Sequence, residues 1–219
     1  MKKIGLFVII LAAILTSCSS EPKYEVEVNI KNNSSLKDKE IIISQKVDGE
    51  TTYSKVSTIK GDNFSLDIPA QKDALLFLVI PESDINEIML AAGEGGSIIH
   101  VNIDGEKVNF SGTPLNDKLQ SYIQATEAVS ASFEKLDNDF SQLQEAGNLT
   151  TEAIENHKLE RSQLLKENTD RIIAFIKENV DNPVGEYYFV NNYVMFPIDR
   201  KQEMQSFATD KIKKSIGIE

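Results

Sequence analysis

The sequence is poor in the residues that carry most enzymatic chemistry. Among 219 residues it has one cysteine, Cys18, two histidines, His100 and His157, and no tryptophan. One cysteine excludes an intramolecular disulfide and a Cys-X-X-Cys redox pair. Neither histidine lies in a His-Glu-X-X-His motif or a catalytic-triad pattern, and the acidic residues show no special spacing. We therefore predict that the chain is not an enzyme and has no catalytic residues, no metal site and no cofactor.

Basic residues are also few, with 23 Lys and Arg against 34 Asp and Glu, and the formal net charge is −11. The acidic excess is spread over both halves of the chain and is not confined to a tail. Both halves should be repelled by a phosphate backbone, so the composition argues against a nucleic-acid partner. The hydrophobic share of 41% is enough for one mid-sized domain or two small ones with a buried core.

Long hydrophobic runs are missing, apart from one near the amino terminus. Residues 4–15 are apolar, which is too short to span a bilayer comfortably, and Lys2 and Lys3 precede them. This pattern predicts an export signal over residues 1–17. The Leu-Thr-Ser-Cys sequence at 15–18 resembles the lipobox of bacterial lipoproteins. That resemblance implies cleavage before Cys18 and acylation of its sulfur and its new amino group, which together give a stable lipid anchor.

The residues after the anchor predict where the protein is held. Residues 18–23 are polar and include Pro22, so we expect a brief tether. The chain should then attach to a membrane of the cell envelope through lipidated Cys18, most simply the outer membrane, facing the periplasm or the surface. Glu21 follows the anchor. In the Bacteroidota lipoproteins that this sequence resembles, an acidic residue there can favour surface display.

Residues 24–112 have the pattern of a β-sandwich domain. Residues 24–30 alternate apolar and polar side chains, whereas residues 74–80 are apolar throughout, which predicts a central strand covered on both faces. Asp48-Gly49 predicts a two-residue hairpin. About eight short strands without helical patterns between them favour an antiparallel sandwich. The glycine-rich residues 93–96 precede another strand pattern, so they predict a strand connection and not a phosphate loop.

Residues 113–219 have the pattern of a helical domain. From Leu115 to Leu143 apolar side chains recur at alternating steps of four and three, which predicts one stripe along a long helix. Thr113 should cap this helix, with Pro114 in its first position. A second helix, from Thr150 or Thr151 to about residue 180, should form an antiparallel hairpin with the first. Its predicted stripe is Ile154, Leu164, Leu165, Ile172, Ile173 and Ile176.

Two short helices are predicted after the hairpin, over residues 184–196 and 199–207. The first is rich in aromatic residues, including Tyr187 and Tyr188. These rings either seal the junction between sandwich and hairpin, which we prefer, or form a stacking platform for sugars. The latter requires Tyr187 and Tyr188 to be accessible. The predicted fold class is therefore α+β: an antiparallel β-sandwich, a long antiparallel helical hairpin and short C-terminal helices.

Three short motifs resemble one family. Residues 108–117 read Val-Asn-Phe-Ser-Gly-Thr-Pro-Leu-Asn-Asp, residues 175–179 read Phe-Ile-Lys-Glu-Asn, and residues 182–185 read Asn-Pro-Val-Gly. They resemble Bacteroidota lipoproteins in which a β-sandwich domain of the DUF4369 type and a helical segment precede a thioredoxin-like thiol–disulfide oxidoreductase domain. This chain ends at Glu219, where that domain would begin, and has no Cys-X-X-Cys motif. The resemblance therefore implies architecture, envelope location and an accessory role, but not oxidoreductase activity.

The sequence thus favours a lipid-anchored accessory protein of the cell envelope that acts as a binding or interaction module. It would hold an envelope protein partner through the helical hairpin or an open sheet edge. Two alternatives stay open: a carbohydrate- or peptide-binding lipoprotein that uses the aromatic helix, and a partner of a separate thioredoxin-like oxidoreductase.

Overall fold

The computed structural model describes residues 21–218. The predicted signal peptide of residues 1–17, the lipidation site Cys18 and the start of the tether lie outside the described residues. Within them, strands precede helices along the chain, and the predicted α+β fold class is confirmed. The strands are β1 (Lys23–Lys31), β2 (Glu40–Val47), β3 (Glu50–Thr58), β4 (Asn63–Pro69), β5 (Leu75–Val79), β6 (Ile88–Ala91), β7 (Ile98–Asp104) and β8 (Lys107–Ser111). The helices are α1 (Pro114–Glu145), α2 (Thr151–Glu178), α3 (Pro183–Tyr193), α4 (Ile198–Phe207) and α5 (Asp210–Ser215).

The strands form two four-stranded sheets, with the orders β4-β1-β7-β8 and β3-β2-β5-β6. All pairs are antiparallel except β1 with β7, which are parallel from Glu25↔Ile98 to Lys31↔Asp104. The sandwich is therefore antiparallel as predicted, apart from this one pair. Side-chain alternation reports which face of a strand is buried, but it carries no information on the direction of the neighbouring strand.

The core lies between the two sheets. Strand β1 alternates strictly and buries Tyr24, Val26, Val28 and Ile30. Full burial of such side chains stabilises the fold by about 1.5–3 kcal/mol each. One polar contact crosses this core: the Tyr24 hydroxyl donates to Oε1 of buried Gln45, at 2.9 Å. Burial raises the pKa of Tyr24 well above its usual value. The phenol therefore stays a hydrogen-bond donor.

The amino terminus of α1 closes one side of the sandwich. Buried Asn116 accepts a hydrogen bond from the backbone N–H of Ala91 in β6 (2.9 Å) and donates to its carbonyl (3.1 Å). Gln120, one turn later, accepts from the N–H of Phe110 in β8 at 2.8 Å. Strands β6 and β8 are both edge strands. The two side chains thus satisfy edge groups that would otherwise be open to another chain.

The hairpin begins with the predicted caps. Thr113 accepts from the N–H of Asn116, and Thr150 accepts from that of Ala153. Packing weakens away from the sandwich, since the exposed fraction rises from 0% at Leu119 to 8% at Val129 and 40% at Leu143. The base of the hairpin is therefore tightly packed, and its tip is solvated.

Leu165 was placed in the buried stripe of α2 and is 60% exposed. That prediction is wrong. Leu164 already occupies the inward position, and two adjacent residues of a helix point about 100° apart.

A short corner connects α2 to α3. Asn182 caps α3 by accepting from the N–H groups of Val184 and Gly185, both at 3.1 Å. It also donates to the side chain of Asn179, which donates to the carbonyl of Phe175. A Cβ on Gly185 would lie 1.9 Å from the Asn179 carbonyl oxygen, so only glycine permits this approach. The two shorter motifs behind the family resemblance therefore build this corner.

The last three helices form a second, smaller core with the end of α2. Its buried members include Ile176, Phe189, Met204 and Ile212. Helix α3 ends at Tyr193, three residues before the predicted end at 196. Pro197 disfavours helical geometry in the residue before it. Helix α5 was not predicted, because six residues are too few for a periodic pattern. In the described part of the chain, no helix has the length and apolar character needed to cross a membrane.

Candidate functional site

A cleft of about 350 Å³ lies between helix α3 and the face of the second sheet that points away from the sandwich core. We call it the α3 cleft. Thirteen residues line it: Lys46, Asp48, Gly49, Asp73, Leu75, Phe77, Glu87, Pro183, Glu186, Tyr187, Val190, Asn191 and Ser215. They come from strands β2 and β5, from the turns and loops between β2 and β6, and from α3 and α5. The cleft therefore exists only when the helices are folded onto the sheet.

The walls of the cleft are aromatic and aliphatic. Leu75 and Phe77 of β5 share one face because they are two residues apart, while Leu76 and Leu78 point into the sandwich core. Across the cleft, the Tyr187 ring lies 6.1 Å from that of Phe77, tilted by 58°. Phe77 is buried, whereas Tyr187 is 36% exposed. One ring is thus fixed by packing, and the other faces the open side.

A β-bulge precedes the cleft. The register between β2 and β3 shifts between Gln45 and Lys46, and the Thr52 hydroxyl donates to the Gln45 carbonyl at 3.2 Å. Bulges bend strands and redirect side chains. Next to this irregularity, the Lys46 ammonium lies over the Phe77 ring, 4.5 Å from its centroid. The cleft therefore already holds one cation on its aromatic wall.

Acidic side chains surround the opening. Asp48, Asp73, Glu87 and Glu186 line the cleft, with Lys46 as the one basic residue among its lining side chains. Lys211 of α5 closes one end, where its ammonium pairs with Asp48 and, at 2.6 Å, with Glu186. The hydrogen bonds that Lys211 donates to Asp48 and, less strongly, to Glu186 raise its pKa. This ion cluster ties the β2–β3 turn to α3 and α5.

Tyr188, the neighbour of Tyr187, has a structural role. Its ring packs edge-on against Tyr122 (5.1 Å) and Phe175 (5.3 Å), which stack on each other at 4.0 Å. Burial raises its pKa far above the usual value. The preferred prediction, a seal between sandwich and hairpin, therefore describes Tyr188. The alternative, a stacking platform, required both rings to be accessible, and only Tyr187 is exposed.

The structure does not bring the two histidines together. His100 lies on the first sheet and contacts Glu27 through Nδ1, at 2.8 Å. His157 lies on the hairpin, contacts Asp137 at 3.0 Å and stacks on Phe140. Over residues 21–218, no group of three or more His, Cys, Asp or Glu side chains is arranged to hold a metal ion.

Sequence reasoning missed the α3 cleft except for Tyr187. Lys46 and Phe77 occur in ordinary strand patterns, and the β-bulge leaves no mark in composition. Asp48-Gly49 was identified as a turn, and the positive φ angles of 52° and 83° agree with that. Nothing in the turn sequence indicates that Lys211, more than 150 residues later, pairs with it.

No family model matches the chain, and no curated protein matches it. The chemistry of the cleft is therefore inferred from its own residues. It combines a buried ring, an accessible ring, an ammonium over the buried ring and an excess of carboxylates. Such a set binds organic groups by stacking and charge, and it holds no paired nucleophile and base.

Proposed function

We propose that the protein is a lipid-anchored accessory protein of the cell envelope, which binds a ligand or a partner segment in the α3 cleft and performs no catalysis of its own. The anchor is lipidated Cys18, and the membrane is the outer membrane. One observation carries the binding role: Tyr187 is accessible in a cleft whose opposite wall, Phe77, is buried. Exposed aromatic side chains next to preformed concave surfaces are typical of binding sites.

The location of the cleft favours it over the two surfaces considered from sequence. Edge strands β6 and β8 each have backbone groups that bond to Asn116 or Gln120 of α1, so α1 obstructs strand addition at these two of the four sheet edges. The outer half of the hairpin is solvated, and the pair between Asp137 and Arg161 lies on its surface. A solvated, mixed-charge surface contributes little affinity, because exposed ion pairs are weak.

The anchor is tested by mass spectrometry of the mature protein. We expect cleavage before Cys18 and a mass increase that corresponds to acyl chains on its sulfur and amino group. The Cys18→Ser variant should remain uncleaved and carry no lipid. An unmodified Cys18 in the mature chain would overturn the lipoprotein assignment and leave the binding role to be judged separately.

The binding role is tested by photo-crosslinking in cells. Benzoylphenylalanine is introduced in place of Tyr187 in the α3 cleft or in place of Leu159, an exposed residue of the hairpin. We expect a discrete crosslinked product from position 187 and none from position 159. Crosslinking from position 159 alone would place the partner on the hairpin and refute the cleft as the site.

A further inference from the structure

A contact between two side chains inside the α3 cleft indicates the chemistry of its ligand. The Lys46 ammonium lies 4.5 Å from the centroid of the Phe77 ring. The face of an aromatic ring carries partial negative charge and attracts cations, more strongly where water is excluded. Phe77 is almost fully buried, so little water competes for its ring. The Phe77 wall of the cleft is therefore a cation-binding surface, and the chain's own Lys46 occupies it.

Lys46 is held loosely compared with its neighbour Lys211. Lys211 pairs with both Asp48 and Glu186. In the described chain, the Lys46 ammonium forms no ion pair within 4.0 Å, although four carboxylates line the same cleft. The position of the Lys46 ammonium thus depends on its contact with the Phe77 ring and on the electrostatic field of the surrounding carboxylates. A long, flexible side chain held in this way is displaced at small cost by a competing cation.

The charge of the cleft excludes anions. Lys211 neutralises part of the charge of Asp48 and Glu186, whereas Glu87 has no basic partner within 4.0 Å among residues 21–218. Asp73 has only Lys72, at 4.0 Å, with both side chains largely exposed. Carboxylates at the rim of an enclosed site concentrate cations from solution. The partly exposed ring of Tyr187, whose centroid lies 6.1 Å from that of Phe77, lines the open side of the same cleft.

We propose that the α3 cleft selects an alkylammonium group over the ring of Phe77, beside Tyr187, and that Lys46 occupies this place until the ligand displaces it. This inference rests on the binding role proposed above. The volume of about 350 Å³ is at the lower end of the range for small-molecule sites, roughly 300–1,000 Å³, so it suits one side chain or a small amine. The ammonium comes from a lysine of a peptide or from a free diamine.

The test is an NMR titration of the purified full chain that follows the ring signals of Tyr187. The probes are the blocked tripeptide acetyl-Gly-Lys-Gly-amide, its norleucine counterpart, and 1,5-diaminopentane. We expect the lysine peptide to bind at least tenfold more tightly than the uncharged norleucine peptide. Added salt should weaken its binding. Comparison with the diamine identifies the source, since the peptide context contributes only if the tripeptide binds more tightly.

The decisive variant is Lys46→Met, which removes the internal ammonium and keeps a similar aliphatic length. We expect it to bind the lysine peptide at least threefold more tightly, because no competitor has to leave the ring. Lys55→Met is the matched control, since Lys55 lies on neighbouring β3 and outside the cleft, and its affinity should equal that of the wild type. An unchanged unfolding midpoint shows that Lys46→Met preserves the fold.

Variants of the accessible ring complete the experiment. Tyr187→Ala should weaken binding at least fivefold, whereas Tyr187→Phe, which keeps the ring, should bind as the wild type does. Equal binding of the lysine and norleucine peptides, or weaker binding by Lys46→Met, would overturn the inference. Absence of binding by all three probes would also overturn it. Crosslinking from position 187 decides the more general binding role independently.

Discussion

Asn116 should be one of the most sensitive polar positions of the chain. Its side chain is fully buried. The amide accepts from the N–H of Ala91 and donates to the carbonyl of the same residue, so it satisfies both backbone groups at this point on the edge of β6. Its amide also donates to Thr113 at 2.9 Å, which ties this pair to the cap of α1. Asn116→Ala removes every one of these bonds and leaves the two groups of Ala91 without a partner.

The magnitude follows from the number of groups left unsatisfied. A buried donor or acceptor that loses its partner costs about 1–3 kcal/mol. Two such groups on Ala91 should therefore lower the free energy of unfolding by about 2–6 kcal/mol. For a chain of this length each kcal/mol lowers the melting temperature by about 2–4 °C, so the expected decrease is roughly 4–24 °C.

The assay is urea-induced unfolding followed by far-UV circular dichroism, with thermal unfolding as a second measure. Lys118→Ala is the matched control, because Lys118 is an exposed residue on the same helix turn and should change stability by less than about 0.5 kcal/mol. A loss below about 1 kcal/mol for Asn116→Ala would refute the reasoning. It would mean that water satisfies Ala91 and that α1 does not seal the sheet.

Three further predictions concern the α2–α3 corner, the hairpin and the core. Gly185→Ala should lower the free energy of unfolding by about 1–3 kcal/mol or more, since its Cβ would overlap a carbonyl, whereas Gly61→Ala, with open space around it, should be near neutral in the same thermal assay. The pKa of Asp137 is lowered, chiefly by its hydrogen bond to Arg161, so its stabilising contribution is present above the usual value of 3.8 and is lost as the pH falls through the lower, folded-state pKa. NMR titration of the carboxyl should confirm this, and Arg161→Gln should move the pKa back up; an unshifted midpoint would contradict it. Tyr24→Phe leaves a buried glutamine oxygen without its donor and should cost about 1–3 kcal/mol in urea unfolding, and a neutral effect would show that this bond is dispensable.

Side-chain periodicity determined the elements of this fold. The strict alternation around Tyr24 and the unbroken apolar run of β5 each predicted the correct strand and its burial. Thr113 and Thr150 predicted where the long helices begin, because a cap satisfies backbone groups that belong to the same few residues. These signals lie within short stretches of sequence, so they can be read without knowing which segments pack together in the fold.

Tertiary structure alone decided the parallel pairing of β1 with β7 and the pairing of Asn116 with β6. It also decided the α3 cleft, where Lys46, Phe77 and Tyr187 meet from two strands and a helix. None of these depends on the spacing of neighbouring residues. They depend on contacts between segments far apart in the chain. The pattern of residues along a sequence does not show which of these distant segments lie close together in space. The sequence therefore determined which residues are buried or capped, and only folding determined which of them face one another across the cleft.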